Sequence, residues 1–268
     1  MIKAIKMSVP DYKIINITEQ NLDEYDLLCH KSKKSGEGYQ NKVKWFMDRL
    51  KEGLKLKLLL IDEGTRGFRS RGFIEYIPGE YTWRGIDAKG YMVIHCIWVI
   101  GKNKKMGFGV KLLNKCLIDA QGMYGVVVVT SKTGWLPKSK FFIKNSFEKV
   151  DGLPPSFDLY VKKFSEVFPN PAFYPISRKE EFSDGLAIMI SHQCPYSPSA
   201  KNVVQRVAKK LNLPFRVIEI TDCKQAQRNG IHPYGTYCVV LNGEALTYRA
   251  SSEKDILELI KKKEVKIE

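Results

Sequence analysis

The chain has 268 residues, 44% of them hydrophobic, and a net charge of +15, as expected for a globular protein of one or two domains. No apolar run approaches the roughly 20 residues needed to cross a bilayer, and the start, Met1 to Lys13, has no apolar h-region, so neither a membrane span nor a secretory signal is expected. The six cysteines, at 29, 96, 116, 194, 223 and 238, form no dense framework and point to a reducing cytoplasm.

In chain order, Tyr12–Thr18 alternates and reads as a strand. Residues 18–32 follow with helical spacing at Leu22, Tyr25 and Cys29. A second helix covers 39–53, where Val43, Phe46, Met47 and Leu50 fall at i, i+3, i+4 and i+7 and Gly53 stops it. Residues 54–64 and 71–85 read as strands, the latter punctuated by Pro78-Gly79. Tyr91–Ile100 is rich in β-branched and aromatic residues, as a buried strand requires. A glycine-bearing loop then leads into a helix at 110–122, a buried strand at 125–131, a short helix at 137–147 and a strand at 157–164. Three prolines make 165–185 a linker. Beyond it come a strand at 186–191, an amphipathic helix at 199–212, strands at 215–221, 236–241 and 245–250, and a helix at 252–263 capped by Ser251 or Ser252.

The positive charge is spread along the chain, since residues 186–268 carry 13 Lys+Arg against 8 Asp+Glu. A solvated basic surface accounts for it; an anionic cofactor or an acidic substrate is the sharper reading, and no nucleic-acid-binding signature is present. The strand–loop–helix at 91–120 is the strongest signal. Lys104, Lys105, Met106, Gly107, Phe108 and Gly109 have the form basic-x-x-G-x-G. The first amides of a helix have no partner inside it and carry the positive end of the helix dipole, so they can cradle phosphate. Lys102 adds charge. A tight helix start explains the glycines as well, and a dinucleotide fold competes, although its longer glycine fingerprint is missing.

Here the sequence resembles the GNAT superfamily of N-acetyltransferases, over roughly residues 12–164. In that family a strand of the form L-x-V runs through a short loop to R/Q-x-x-G-x-G/A. Ile97 and Val99 stand at the strand positions, Lys104 at the basic position, and Gly107 and Gly109 at the glycines. Lysine for arginine or glutamine keeps the charge and loses the planar fork. The resemblance implies a mixed sheet with helices on both faces and acetyl-CoA as cofactor. Its diphosphate would lie on the amides from Met106 to Val110, Phe108 and Gly109 included, beside Lys104 and Lys105. Its pantetheine would lie along Ile97, Trp98 and Val99, with a backbone N–H near Val99 polarising the acyl carbonyl. The acyl group would pass directly to an amine.

The resemblance also raises a question about protons. The last helix of the family often reads F-Y-x-K-x-G-F, with the tyrosine protonating the leaving thiolate. The matching stretch here is Phe141 to Phe147, with Phe142 at the tyrosine and Ser146 at the glycine. For the general base the expectation is His95, placed by the period of two on the same face as Ile97 and Val99, with Glu75 of the neighbouring strand second. A satisfied core histidine and a paired carboxylate are the plain alternatives. Trp135 and Tyr76 are candidates to line an acceptor pocket or to pack in the core.

In the C-terminal part, Cys194 lies between a strand and a helix start, where a thiolate gains from the helix N-terminus, so its pKa is expected to be lowered; a reactive thiol and a relict thiol in a structural domain both stay open. The element order β-α-β-β-β-α over about 186–263 resembles the thioredoxin-like fold, in a monothiol C-P-Y-S form with Ser197 at the second cysteine. Gly235 stands where such domains often have a cis-proline. The whole arrangement resembles bacterial acetyltransferases with a YoaP-like C-terminal domain. The expected organisation is therefore α/β, with a GNAT-like domain at 1–164, a linker at 165–185 and a YoaP-like, thioredoxin-like domain at 186–268. The expected function is acetyl transfer from acetyl-CoA to an amine. The rivals are a monothiol redox protein centred on Cys194 and an acyl-CoA-binding module with weak catalysis. No metal site and no membrane partner are expected.

Overall fold

The computed structural model describes residues 9–133, 135–176, 182–228 and 231–264. Strands β1 (Tyr12–Ile17), β2 (Lys55–Asp62) and β3 (Phe68–Pro78) form an antiparallel meander, with α1 (Glu37–Leu50) between the first two. The two-residue β4 (Ile86–Asp87) precedes β5 (Met92–Val99), which pairs antiparallel with β3. After α2 (Phe108–Asp119), β6 (Gly125–Ser131) lies parallel to β5. Then come α3 (Ser139–Ile143), β7 (Glu148–Leu153) and β8 (Phe157–Lys163), which complete a seven-stranded sheet of order β1-β2-β3-β5-β6-β8-β7.

The stretch expected to be a linker packs against the sheet. Its β9 (Ala172–Phe173) pairs with β4, the Tyr91 hydroxyl donates to the Pro169 carbonyl at 2.6 Å, and Phe168 stacks on Tyr124 at 4.2 Å. A second sheet follows, built from β10 (Leu186–Ile190), α4 (Ser197–Lys210), β11 (Phe215–Glu219), α5 (Cys223–Arg228), β12 (Tyr237–Leu241), β13 (Glu244–Thr247) and α6 (Glu253–Glu264). Its order is β11-β10-β12-β13, with β10 parallel to β11 and the other neighbours antiparallel. Ser252 caps α6 reciprocally. Its hydroxyl accepts from the Asp255 amide, and the Asp255 carboxylate accepts from the Ser252 amide, both at 3.2 Å.

The helix expected over residues 18–32 does not form. Only 3-10 turns appear, at Glu19–Asn21 and Lys31–Lys33. Asp26 captures the Leu28 amide with its side chain at 2.7 Å, and Leu28 and His30 both adopt positive φ, at 62° and 60°. Local side-chain bonds of this kind compete with helix, and a helix cannot pass through left-handed residues. On α1 the buried face is Tyr39, Lys42, Trp45 and Phe46, rotated from the stripe read in the sequence.

One face of the large sheet packs on α2 and α3 through Ile74, Tyr76, Ile94, Phe108, Leu112 and Phe142. The other face meets α1 and the second sheet. Trp45, Phe46, Leu58 and Phe73 share one cluster with Met189 and Val240, and Val127, Val129 and Leu159 share another with Ile188, Val204 and Val239. The two sheets are thus joined by continuous apolar burial. In places they touch backbone to backbone. A Cβ at Gly38 would sit 2.0 Å from the Pro195 carbonyl oxygen, and one at Gly235 would sit 2.3 Å from that of Trp83, so side chains are excluded at both.

Candidate functional site

The large sheet forks in its middle. The β5–β6 ladder pairs Met92 with Val126, Val93 with Val127 and Ile94 with Val128, and then stops. Beyond it β5 runs on to Val99 and β6 to Ser131. The fork opens at a β-bulge. Across β3, Tyr76 faces Ile94 while Glu75 faces Cys96, so His95 is the extra residue. The bulge corrects the period-two expectation. Ile94, Ile97 and Val99 pack toward α2, whereas Cys96 belongs to the opposite face and His95 meets Glu75 there. The amide of Ile100 donates to Arg71 on the β3 side at 2.8 Å, so by alternation the amides of Ile97 and Val99 point to the open edge of the fork.

The loop after β5 ends in front of this fork. Gly107 holds φ 81° as the residue that starts α2, and a Cβ there would meet nothing within 4 Å. The amides of Val110 and Lys111 already bond the Gly107 carbonyl. Among the described residues no protein group accepts from the amides of Met106, Gly107, Phe108 or Gly109. The Phe108 side chain is buried in the core, so only its backbone is on offer, and the Phe141 ring packs on Gly109. Lys102, Lys104 and Lys105 are exposed, and Lys104 lies over the exposed Trp98 ring at 4.9 Å. This is a set of unpaired donors beside exposed positive charge, suited to an anion.

The helix tyrosine position is closed. Phe142 has no exposed surface and packs edge-on against Phe141 and Phe147. Ser146 adopts φ 63°, the left-handed conformation that the family's glycine takes freely. Tyr76 is also core, its hydroxyl donating to Asp119 at 2.7 Å on the α2 side.

Behind the fork lies a buried polar network that joins the two sheets. Lys42 of α1 bonds and pairs with Glu75 of β3. Gln193, from the loop after β10, donates to Glu75 at 2.9 Å and lies 2.8 Å from His95 Nδ1. His95 Nε2 accepts from the Trp83 amide at 3.1 Å. Arg84 donates to the Gln193 amide oxygen at 3.0 Å, the Tyr234 carbonyl at 3.2 Å and the His95 carbonyl at 2.8 Å, and lies over the Tyr234 ring. His95 is only 1% exposed and Glu75 2%.

Burial pushes the Glu75 carboxyl up, but the Lys42 charge and the His95 hydrogen bond outweigh it and hold it down at about 2. Burial pushes His95 down to about 4, against the pull of Glu75, so the ring is neutral near pH 7. With both ring nitrogens engaged and no surface on solvent, His95 and Glu75 are arranged as a structural brace. Of the sequence candidates, the fork brings Ile97, Val99 and the loop amides together and leaves His95 and Glu75 on the far side of β5. Lys42, Arg84 and Gln193 were not anticipated. A lysine three residues from Tyr39 and Trp45, on the apolar face of α1, was the available sign of the first.

Cys194 differs from expectation. It sits ahead of α4, within electrostatic reach of Cys29 and Cys96, and burial raises its pKa despite the hydrogen bond from the Tyr196 amide. The helix terminus is outweighed by desolvation, although the residue keeps part of its surface. His192 faces Glu219 at 2.9 Å, and no group of His, Cys, Asp and Glu among the described residues is placed to hold a metal. No helix among them is long and apolar enough to cross a membrane.

No family model matches the chain. It is 29% identical over 244 residues to a Bacillus subtilis protein named "Uncharacterized N-acetyltransferase YoaP", covering 89% of this chain and 94% of the relative. Among solved structures, a GNAT-family acetyltransferase from Staphylococcus aureus aligns at 15% identity and a TM-score of 0.41, over 58% of this chain and all of that one. The Escherichia coli GNAT protein YhbS, in complex with CoA, aligns at 13% identity and a TM-score of 0.40, over 62% and 92%.

Proposed function

We propose that this chain, an acyltransferase and a relative of the GNAT-type acetyltransferases, moves the acetyl group of acetyl-CoA directly to an amine. The observation that carries this reading is the fork itself: a sheet that opens after Ile94–Val128, in front of four unpartnered amides at Met106 to Gly109. The donor set fits an anion, and Gly107 leaves the approach to it open. In this reading acetyl-CoA supplies the activated acyl group. The loop amides and the exposed lysines Lys102 and Lys105 hold its diphosphate. The open edge of β5 accepts its arm as an added strand would be accepted, and the amide of Ile97 or Val99 faces the acyl oxygen.

Phe142 gives no proton, so in this reading the amine nitrogen bonds the acyl carbon, the carbon–sulfur bond breaks with CoA leaving as thiolate, and the proton lost by the amine passes to water. His95 and Glu75 position the bulge and the C-terminal loop and do not touch the amine. The second sheet, in the same proposal, is a thioredoxin-like unit by its strand order, serving to complete the site. Burial raises the Cys194 thiol pKa, which favours acetyl transfer over the monothiol redox reading.

Calorimetric titration with acetyl-CoA tests the donor half. Proline cannot adopt φ 81° and has no amide hydrogen. Gly107→Pro is therefore expected to weaken acetyl-CoA binding at least about tenfold, the effect of roughly 1.4 kcal/mol. Equal affinity in the variant, or no binding by the unaltered protein, refutes the proposal. Binding without turnover on any amine leaves the acyl-CoA-binding module in its place.

A further inference from the structure

Three half-exposed aromatic rings from distant segments meet where the second sheet leans on the first. Tyr196, from the loop before α4, packs tilted against His30 at 4.7 Å and meets Trp135 edge-on at 5.2 Å. Trp135 is 44% exposed and Tyr196 36%, although each has neighbours it could bury against. Trp135 follows β6 by four residues, and β6 is one arm of the fork. Gln193, three residues before Tyr196, lies 2.8 Å from Nδ1 of His95, the bulge residue at which the fork opens on the other arm. The trio therefore stands beside the open end of the fork.

Two further observations mark the place as built. His30 Nδ1 is closed off from solvent and meets no hydrogen-bond partner among the described residues. An unpaired acceptor or donor of this kind is costly unless something else pairs with it. The segment that presents His30 is strained. The Cys29 amide bonds the Leu27 carbonyl across a three-residue turn with Leu28 at φ 62°, and His30 is left-handed as well. On the opposite side, Gln193 ties the loop carrying Tyr196 into the Glu75–His95 network, so that ring is held in place.

We infer that His30, Trp135 and Tyr196 form the acceptor site, that the C-terminal unit thereby supplies part of it, and that the acceptor is a monoamine carried on a flat aromatic body. This rests on the acetyl-transfer reading above. Exposed ring faces suit a planar apolar group. The part of the His30 ring left open to solvent suits the amine end. A polyamine is disfavoured, because the chain carries +15 and the buried carboxylate behind the fork, Glu75, is already paired with Lys42.

The test compares 2-phenylethylamine with spermidine and a lysine peptide as acceptors of acetyl-CoA, using the full chain. The expected result is preference for 2-phenylethylamine. Tyr196→Ala and Trp135→Ala should each raise its KM about tenfold or more, while the KM for acetyl-CoA stays within about twofold; roughly a tenfold loss is what one stacked ring contributes. His30→Asn, which tolerates the left-handed backbone, should raise the acceptor KM alone.

Quenching of Trp fluorescence by 2-phenylethylamine, absent in Trp135→Phe, reads binding without turnover. Preference for spermidine or the peptide overturns the inference. So does a parallel rise in both KM values, or acetyl-CoA binding with neither turnover nor quenching by the aromatic amine. Failure of acetyl-CoA to bind is a different result and removes the acetyl-transfer reading instead.

Discussion

Replacing Lys42 by methionine is expected to cost more stability than any ordinary surface change. The lysine is 4% exposed and Glu75 2%, so neither charge has water to fall back on. Truncating one partner of such a pair leaves an uncompensated buried charge, and the loss is about 3–5 kcal/mol. Lys42 also lies over the Trp45 ring at 4.4 Å, so Trp45 fluorescence reports on the site directly. Two apolar residues of similar volume often replace a buried pair without penalty. Here they should not, because Gln193 and His95 also lean on the Glu75 carboxylate. The double variant Lys42→Met/Glu75→Leu is therefore expected to recover about half of the loss and remain about 1–3 kcal/mol below the parent, the cost of leaving buried donors unpaired. Urea unfolding at pH 7, followed by Trp fluorescence for the parent, the single variants and the double, measures all of these. A loss below about 1 kcal/mol for Lys42→Met, the range of an exposed pair, would refute the reasoning, since it would mean the pair reaches solvent.

The same network makes the fold sensitive to acid. His95 is depressed to about 4 in the folded chain, below the usual value near 6.5, so the unfolded chain takes up the proton first and stability falls as pH drops from about 6.5 to about 4. Glu75, depressed to about 2, extends the decline below about pH 4. Midpoints of urea unfolding between pH 7.5 and 4.5 check this, and a flat or rising trend on acidification contradicts it. Phe142→Tyr, which restores the tyrosine of the GNAT pattern, is expected to lose about 1–3 kcal/mol by burying a hydroxyl without a partner. It should leave kcat unchanged. Thermal unfolding and initial rates test this together, and a gain in kcat would show that the ring faces the reacting thioester.

Much of the fold was legible because apolar period follows element type closely. The strand at 125–131 is the observed β6, and the fork-side strand and the helix after Gly107 lie within three residues of expectation. What failed has physical causes. Leu22, Tyr25 and Cys29 keep helical spacing, but Asp26 and two left-handed residues break the chain there. The strand β7 was missed because its burial is partial and irregular, leaving no alternation to read. The bulge at His95 is invisible to a period-two count, since one extra residue shifts everything after it to the other face. The loop amides of the candidate site were readable from Lys104, Gly107 and Gly109 taken together with the strand before them and the helix after them. The brace behind them was not, because Arg84 and Gln193 are 109 residues apart and only the packed sheets bring them together.

That late closure bears on how the chain comes off the ribosome. Synthesis delivers β3, β5 and α1 well before the loop that carries Gln193 and the strand that follows Tyr234 and Thr236. Until those arrive, Arg84 and Glu75 face water with half of their eventual partners unmade. Contacts of such long sequence separation form slowly, after the entropy of closing the loop has been lost. The nascent amino-terminal sheet is thus exposed along the face it will later hide, and the final third of the polypeptide acts as the fold's own chaperone, arriving last and sealing it.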